Sequence, residues 1–186
     1  MSKVVLITGG SSGIGKSIGE FLHLRGFVVY GTSRNPERVL NSVFPLITLD
    51  VRNVDSIHKA VANIIATSGR LDIVINNAGV GITGPLEEIP MEEIKNNFET
   101  NFFGPIEVMR AALPQMRLQK SGLIINITSI AGYMGLPYRS VYSASKGALE
   151  LITESLRMEV KSFGIQITNV APGDFATNIA SGRFHA

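Results

Sequence analysis

Four consecutive apolar residues, Val4 to Ile7, run directly into Thr8-Gly9-Gly10-Ser11-Ser12-Gly13-Ile14-Gly15-Lys16-Ser17. An unbroken apolar run of this kind, stopped by glycine, reads as a strand buried on both faces, which is the situation of a parallel sheet with helices on either side. Glycines at 9, 13 and 15 leave no Cβ in the turn, so backbone N–H groups and the start of the next helix can come close to an anion.

The rest of the chain repeats the alternation. Further strands are expected at 27–32, 45–49, 71–75, 123–127 and 165–170, and helices at 14–25, 54–68, 91–117 and 140–163. In the first helix Ile18, Phe21 and Leu22 share a face, and in the second Ile57, Val61, Ile64 and Ile65 do. In 91–117 the expected buried stripe is Ile94, Phe98, Phe102, Ile106 and Met109. In 140–163 it is Ala144, Ala148, Ile152, Leu156 and Val160. Strands alternating with helices argue for one α/β domain over 1–186, a doubly wound parallel sheet of Rossmann type with six strands in the order 3-2-1-4-5-6.

Composition removes several classes of function. There is no cysteine, so disulfides and thiolate metal sites are excluded, and the three histidines (His23, His58, His185) have no ligand-like spacing. The formal net charge is +2, with Lys and Arg scattered singly, which does not describe a nucleic-acid surface. No apolar stretch approaches the ~18 residues of a membrane span, and Gly9 interrupts the first apolar run before a signal-peptide core could form. A soluble, cytoplasmic protein is expected.

The glycine turn admits two chemistries. It fits the pyrophosphate turn of a dinucleotide fold. Gly10 to Ser17 also fits G-x-x-x-x-G-K-[ST], the phosphate loop of nucleotide hydrolases, with Lys16 and Ser17 in place and Asp50 able to serve as the magnesium-side acid. The segment alone leaves both open.

Later motifs separate them. Asn76-Asn77-Ala78-Gly79 follows the fourth strand, Asn101 lies in the third helix, and Ser129 follows the fifth strand. Then come Tyr142-Ser143-Ala144-Ser145-Lys146 and, closing the sixth strand, Pro172-Gly173. In this order and spacing the set resembles the short-chain dehydrogenase/reductase family over nearly the whole chain, and the stretch from Tyr133 to Ser145 together with Gly31-Thr32-Ser33-Arg34 resembles most its hydroxysteroid- and retinol-dehydrogenase-like branch. A hydrolase would leave all of these unexplained.

The residues also have a physical reading. On a helix Tyr142 and Lys146 lie one turn apart on one face. A free tyrosine titrates near ~10, and a neighbouring ammonium favours its phenolate, which makes Tyr142 a general acid–base candidate. Ser129 would hydrogen-bond and polarise a substrate carbonyl. Pro105 has no N–H to offer the Asn101 carbonyl, which is then free to hold a water. The resemblance implies that Asn101, Ser129, Tyr142 and Lys146 form the catalytic set, with Asn101 anchoring a proton-relay water.

For the cofactor, Gly9, Ser11, Ser12, Gly13, Ile14 and Gly15 form the turn. The resemblance implies that Asp50 and Val51 meet the adenine, that Asn77, Ala78 and Gly79 form a wall beside the cofactor, and that Pro172, Gly173 and Thr177 lie near the nicotinamide, with Tyr142 and Lys146. Eighteen residues past Gly15 stands Ser33, followed by Arg34, and no acid occurs until Glu37. A carboxylate there would select the free ribose hydroxyl of NAD(H), whereas Arg34 can clamp a 2′-phosphate, so NADP(H) is preferred over NAD(H). The expected reaction interconverts a small-molecule carbonyl and an alcohol, with 3-oxoacyl-thioester reduction as a second substrate reading and a non-catalytic NADP-binding sensor as the rival. The resemblance also implies a homodimer or homotetramer formed through helices 91–117 and 140–163. It further implies a substrate lid and seventh strand, and the sequence reaches Ala186 before either.

Overall fold

The computed structural model describes residues 2–173 and 184–186. In chain order the main elements are β1 (Val4–Ile7), α1 (Gly13–Leu24), β2 (Val28–Ser33), β3 (Leu46–Thr48), α2 (Val54–Ser68), β4 (Ile73–Asn76) and β5 (Ile82–Thr83). They continue with α3 (Met91–Phe98), α4 (Gly104–Gln119), β6 (Gly122–Ile127), α5 (Ser140–Val160), β7 (Ile165–Val170) and β8 (Phe184–His185).

Six strands form a parallel sheet in the order β3-β2-β1-β4-β6-β7, the expected Rossmann-type arrangement. The short β5 and β8, not foreseen, pair separately in parallel, Ile82 beside Phe184. Successive side chains of β1 point to opposite faces, so Val4 and Leu6 join one core while Val5 and Ile7 join another. The first core is packed by α2, α4 and α5 through Ile57, Ile64, Val108, Met116 and Val160. On the other face Ile18 and Leu22 of α1 pack with Phe44.

Two expected stripes are corrected. The helix expected over 91–117 is interrupted by a π-helical turn at Glu99–Phe103, where the Gly104 N–H reaches back to Glu99 O. The extra residue in that turn rotates α4 about its axis relative to α3. Of Ile94, Phe98, Phe102, Ile106 and Met109 only Met109 is fully buried, and Asn97, Asn101, Pro105, Val108 and Ala112 occupy the inner face instead.

In α5 the buried positions are Val141, Ser143, Ser145, Lys146, Leu149, Glu150, Thr153 and Val160, while Ala144 is exposed and Ala148, Ile152 and Leu156 are half-buried. The cause is a polar ladder on the sheet. Asn76, Asn126 and Asn169 stand in register on β4, β6 and β7. Asn76 donates to Asn126 Oδ1 at 2.8 Å and Asn126 donates to Thr153 Oγ1 at 2.8 Å. A helix facing buried amides must turn polar atoms toward them, so hydrogen bonding as well as hydrophobicity sets the inner face of α5.

Candidate active site

The strand ends that follow β1 and β4 diverge at the point where the sheet order reverses, which is where open α/β sheets bind ligands. A cleft of about 930 Å³ lies there. Its end at the glycine turn is lined by Gly9, Ser11, Ser12, Gly13 and Ile14, then by Ser33, Arg34, Asp50 and Val51, and its far end by Ser129, Tyr142, Lys146, Pro172 and Gly173. Asn77, Ala78 and Gly79 form the wall between.

At the glycine-turn end α1 begins behind Ser12, whose side chain makes no cap bond, so the first N–H groups of the helix are open to an anion. Gly15 does not line the cleft. A Cβ there would run into the Asn77 amide and the Gly9 carbonyl, so its role is to let α1 press against the wall. Lys16 and Ser17 serve neither end: Lys16 Nζ lies 3.7 Å from Glu20 on the exposed flank of α1, and the Ser17 hydroxyl donates to Gly13 O at 3.2 Å. Neither residue lines the cleft, where a phosphate loop's lysine and serine would be needed. Arg34 is exposed on the rim, and Asp50 Oδ1 accepts from the Arg52 N–H at 3.0 Å.

The wall is pinned from both sides. Thr8 Oγ1 accepts from the N–H groups of Asn77 and Ala78, each at 3.0 Å, while Asn77 Nδ2 donates to Thr8 O at 2.9 Å. From the other side the Asn101 amide clamps Val80 reciprocally, donating to its carbonyl and accepting from its N–H, both at 2.9 Å. Asn101 also donates to Asn97 Oδ1 and Ser145 Oγ. It is fully buried and does not reach the cleft surface, so its side chain holds the wall in place.

At the far end Lys146 is 4% exposed and donates to Ile127 O at 2.9 Å. Burial lowers its pKa from 10.5 to about 8, with Glu150 opposing the shift. Its Nζ lies 5.9 Å from the centre of the Tyr142 ring. A Cβ on Gly79 would stand 3.2 Å from Asn101 Oδ1 and 3.4 Å from Lys146 Nζ, so the missing side chain leaves room for a ligand beside the lysine. Ser129 Oγ accepts from the Ala131 N–H at 3.2 Å, which leaves its hydroxyl proton to donate. Tyr142 packs beside Ile82, Val141 and Phe184. Thr177 lies outside the described residues.

A profile of short chain dehydrogenases matches residues 3–186. The chain belongs to the short-chain dehydrogenase family. Members of this oxidoreductase family that it resembles include 3-ketodihydrosphingosine reductase of Bacteroides thetaiotaomicron, 47% identical over 97% of this chain and 67% of the relative. A short-chain dehydrogenase from Streptomyces avermitilis matches in structure with a TM-score of 0.94 and 39% identity, covering 100% of this chain and 71% of that one. ElxO with NADP bound matches at 0.91 and 33%, covering 98% and 79%. An NAD⁺-bound xylitol dehydrogenase also matches, at 0.87 and 28%, covering 92% and 70%. These neighbours support a nicotinamide cofactor for this short-chain dehydrogenase. The chain spans about two thirds of the curated relative's length. Among the described residues no helix is long and apolar enough to cross a membrane.

Sequence reasoning did not single out Asn97, Asn126, Thr153, Ser145 or Glu150. The signal was present for Asn126, a lone amide inside the apolar run Ile124-Ile125-Asn126-Ile127, where an unpartnered polar group would be costly.

Proposed function

We propose that this short-chain dehydrogenase is a single nucleotide-binding unit that interconverts a carbonyl and a secondary alcohol with NADP(H). The observation that carries this reading is the buried Lys146, placed beside the space at Gly79 and one turn from Tyr142 in the cleft that Ser129 also lines. The nicotinamide, when bound, supplies or accepts the hydride. Ser129 donates a hydrogen bond to the substrate oxygen, where negative charge develops on reduction. Tyr142 delivers the proton to that oxygen and takes it back in oxidation. Lys146 holds the ribose side and favours the phenolate. Asn101 contributes through the wall it clamps and through its main-chain carbonyl, toward which Pro105 has no N–H to direct.

Arg34 on the rim, with no acid before Glu37, supports NADP(H) over NAD(H). The relative at 47% identity supports a ketone like 3-ketodihydrosphingosine as substrate. NADPH oxidation by a chain that includes the remainder of the relatives' length should be measured with 3-ketodihydrosphingosine, a steroid ketone and a 3-oxoacyl thioester. Turnover with none of these would reject the reading.

Pairing through α4 and α5 belongs to the same proposal. Phe103, Leu151 and Met158 are exposed, and Ile106, Leu113, Ile152 and Leu156 line an apolar groove between the two helices. Light scattering that shows a monomer at tens of micromolar would reject it.

A further inference from the structure

One turn beyond Lys146, α5 carries a second buried ion that the proposed chemistry does not use. Glu150 is 8% exposed. Its Oε2 accepts from Asn169 Nδ2 of β7 at 2.5 Å, and its buried Oε1 makes no close hydrogen bond, the Tyr133 phenol being the other polar group that approaches the carboxylate. A carboxylate withdrawn from water this far is costly unless a cation answers it. Residues four apart on a helix are neighbours, and that neighbour is Lys146, itself 4% exposed.

The two do not need contact. Lys146 directs a proton to Ile127 O at 2.9 Å, and in a poorly polarisable interior a charge acts beyond ion-pair distance. Also near Glu150 is the Tyr133 phenol, whose pKa is raised by the Glu150 charge, by burial and by a hydrogen bond to Glu150, with a smaller push from Glu154, the next acid along α5. Neither is a cation.

We propose that Glu150 is a positioning residue for Lys146: clamped by Asn169, its carboxylate keeps the buried lysine an ammonium, aimed at the cleft. This rests on the role given to Lys146 above. Burial alone drives that lysine toward the neutral amine, which could neither hold the ribose as a cation nor favour the Tyr142 phenolate, and Glu150 opposes the drift.

The test is a titration of Lys146 in the protein without substrate, monitored by NMR of chains carrying [ε-¹³C]lysine, its resonance assigned by loss in Lys146→Met. Glu150→Gln keeps the shape and an acceptor for Asn169 but removes the charge. The Lys146 midpoint should fall by about one pH unit in this variant and largely hold in Glu150→Asp. An unchanged midpoint in Glu150→Gln overturns the proposal. Should that variant not fold, Asn169→Ala releases the carboxylate without removing it. The midpoint should then fall by a smaller margin, and no movement there overturns the proposal as well. Because the titration needs no substrate, its failure counts against Glu150, whereas inactivity toward every carbonyl counts against the proposed reaction.

Discussion

The two ends of the sheet bury charge in opposite ways. At the amino end Asp72 is 6% exposed and fully answered: it accepts from the Val4 N–H and Arg70 Nε, each at 2.8 Å, and from Arg70 Nη2 at 2.5 Å. Desolvation works against its charge, but the bonds to Arg70 and Val4 prevail and its pKa is lowered. At the carboxyl end Lys146 is as deeply buried, yet among the described residues it meets one carbonyl and no ion-pair partner, and desolvation wins. The same physics thus yields a structural tie at one end and a group of raised energy at the other. A nucleotide ribose and a phenolate would supply the partners that Lys146 lacks.

The comparison can be broken at the reactive end first. In a protein that turns over a carbonyl substrate, Tyr142→Phe should lower kcat by about 10²–10⁴-fold with NADPH affinity nearly unchanged. Wild-type turnover would remove Tyr142 from the mechanism.

The unmet lysine should next be visible as pH-dependent stability. Its folded pKa, about 8, lies below the unfolded 10.5, so the unfolded chain binds more protons between these values and stability should rise with pH across that window. The rise is on the order of 3 kcal/mol and should be absent in Lys146→Met. Urea midpoints from pH 7 to 10.5 would measure it, and parallel curves for the two proteins would show that the lysine's burial is not costly.

The answered end should respond more modestly and with the opposite pH dependence. Asp72→Ala leaves the Val4 N–H without its acceptor and should cost about 1–3 kcal/mol in thermal or urea unfolding. With its folded pKa lowered, Asp72 contributes in full above the unfolded value near ~3.9, and that contribution is lost as pH falls through the folded pKa. An alanine variant with the parent's acid stability would contradict the tie. The smallest effect belongs to Arg34, which is exposed at the rim. Arg34→Ala should weaken NADPH binding about tenfold, ~1.4 kcal/mol, and leave NADH binding unaltered, as fluorescence titration would show.

The amino-acid sequence by itself determined the sheet and its order. Apolar runs such as Val4–Ile7, alternating with amphipathic helices, have few other ways to bury themselves, and crossover handedness prunes the rest. It also marked Gly79, Ser129, Tyr142 and Lys146 by spacing, and all four line the cleft. Only the tertiary structure decided how these residues are held. The inner face of α5 was misread because Asn126 and Asn169, distant in the chain, present amides that a purely apolar stripe could not satisfy. Gly15 and Lys16 fit a phosphate motif, yet one packs against Asn77 and the other turns to Glu20, since the path of α1 is set by its contact with the wall. The state of Lys146 likewise had no local signal. Periodicity and spacing record which residues lie near one another along a helix, whereas desolvation and hydrogen-bond satisfaction depend on every neighbour in space.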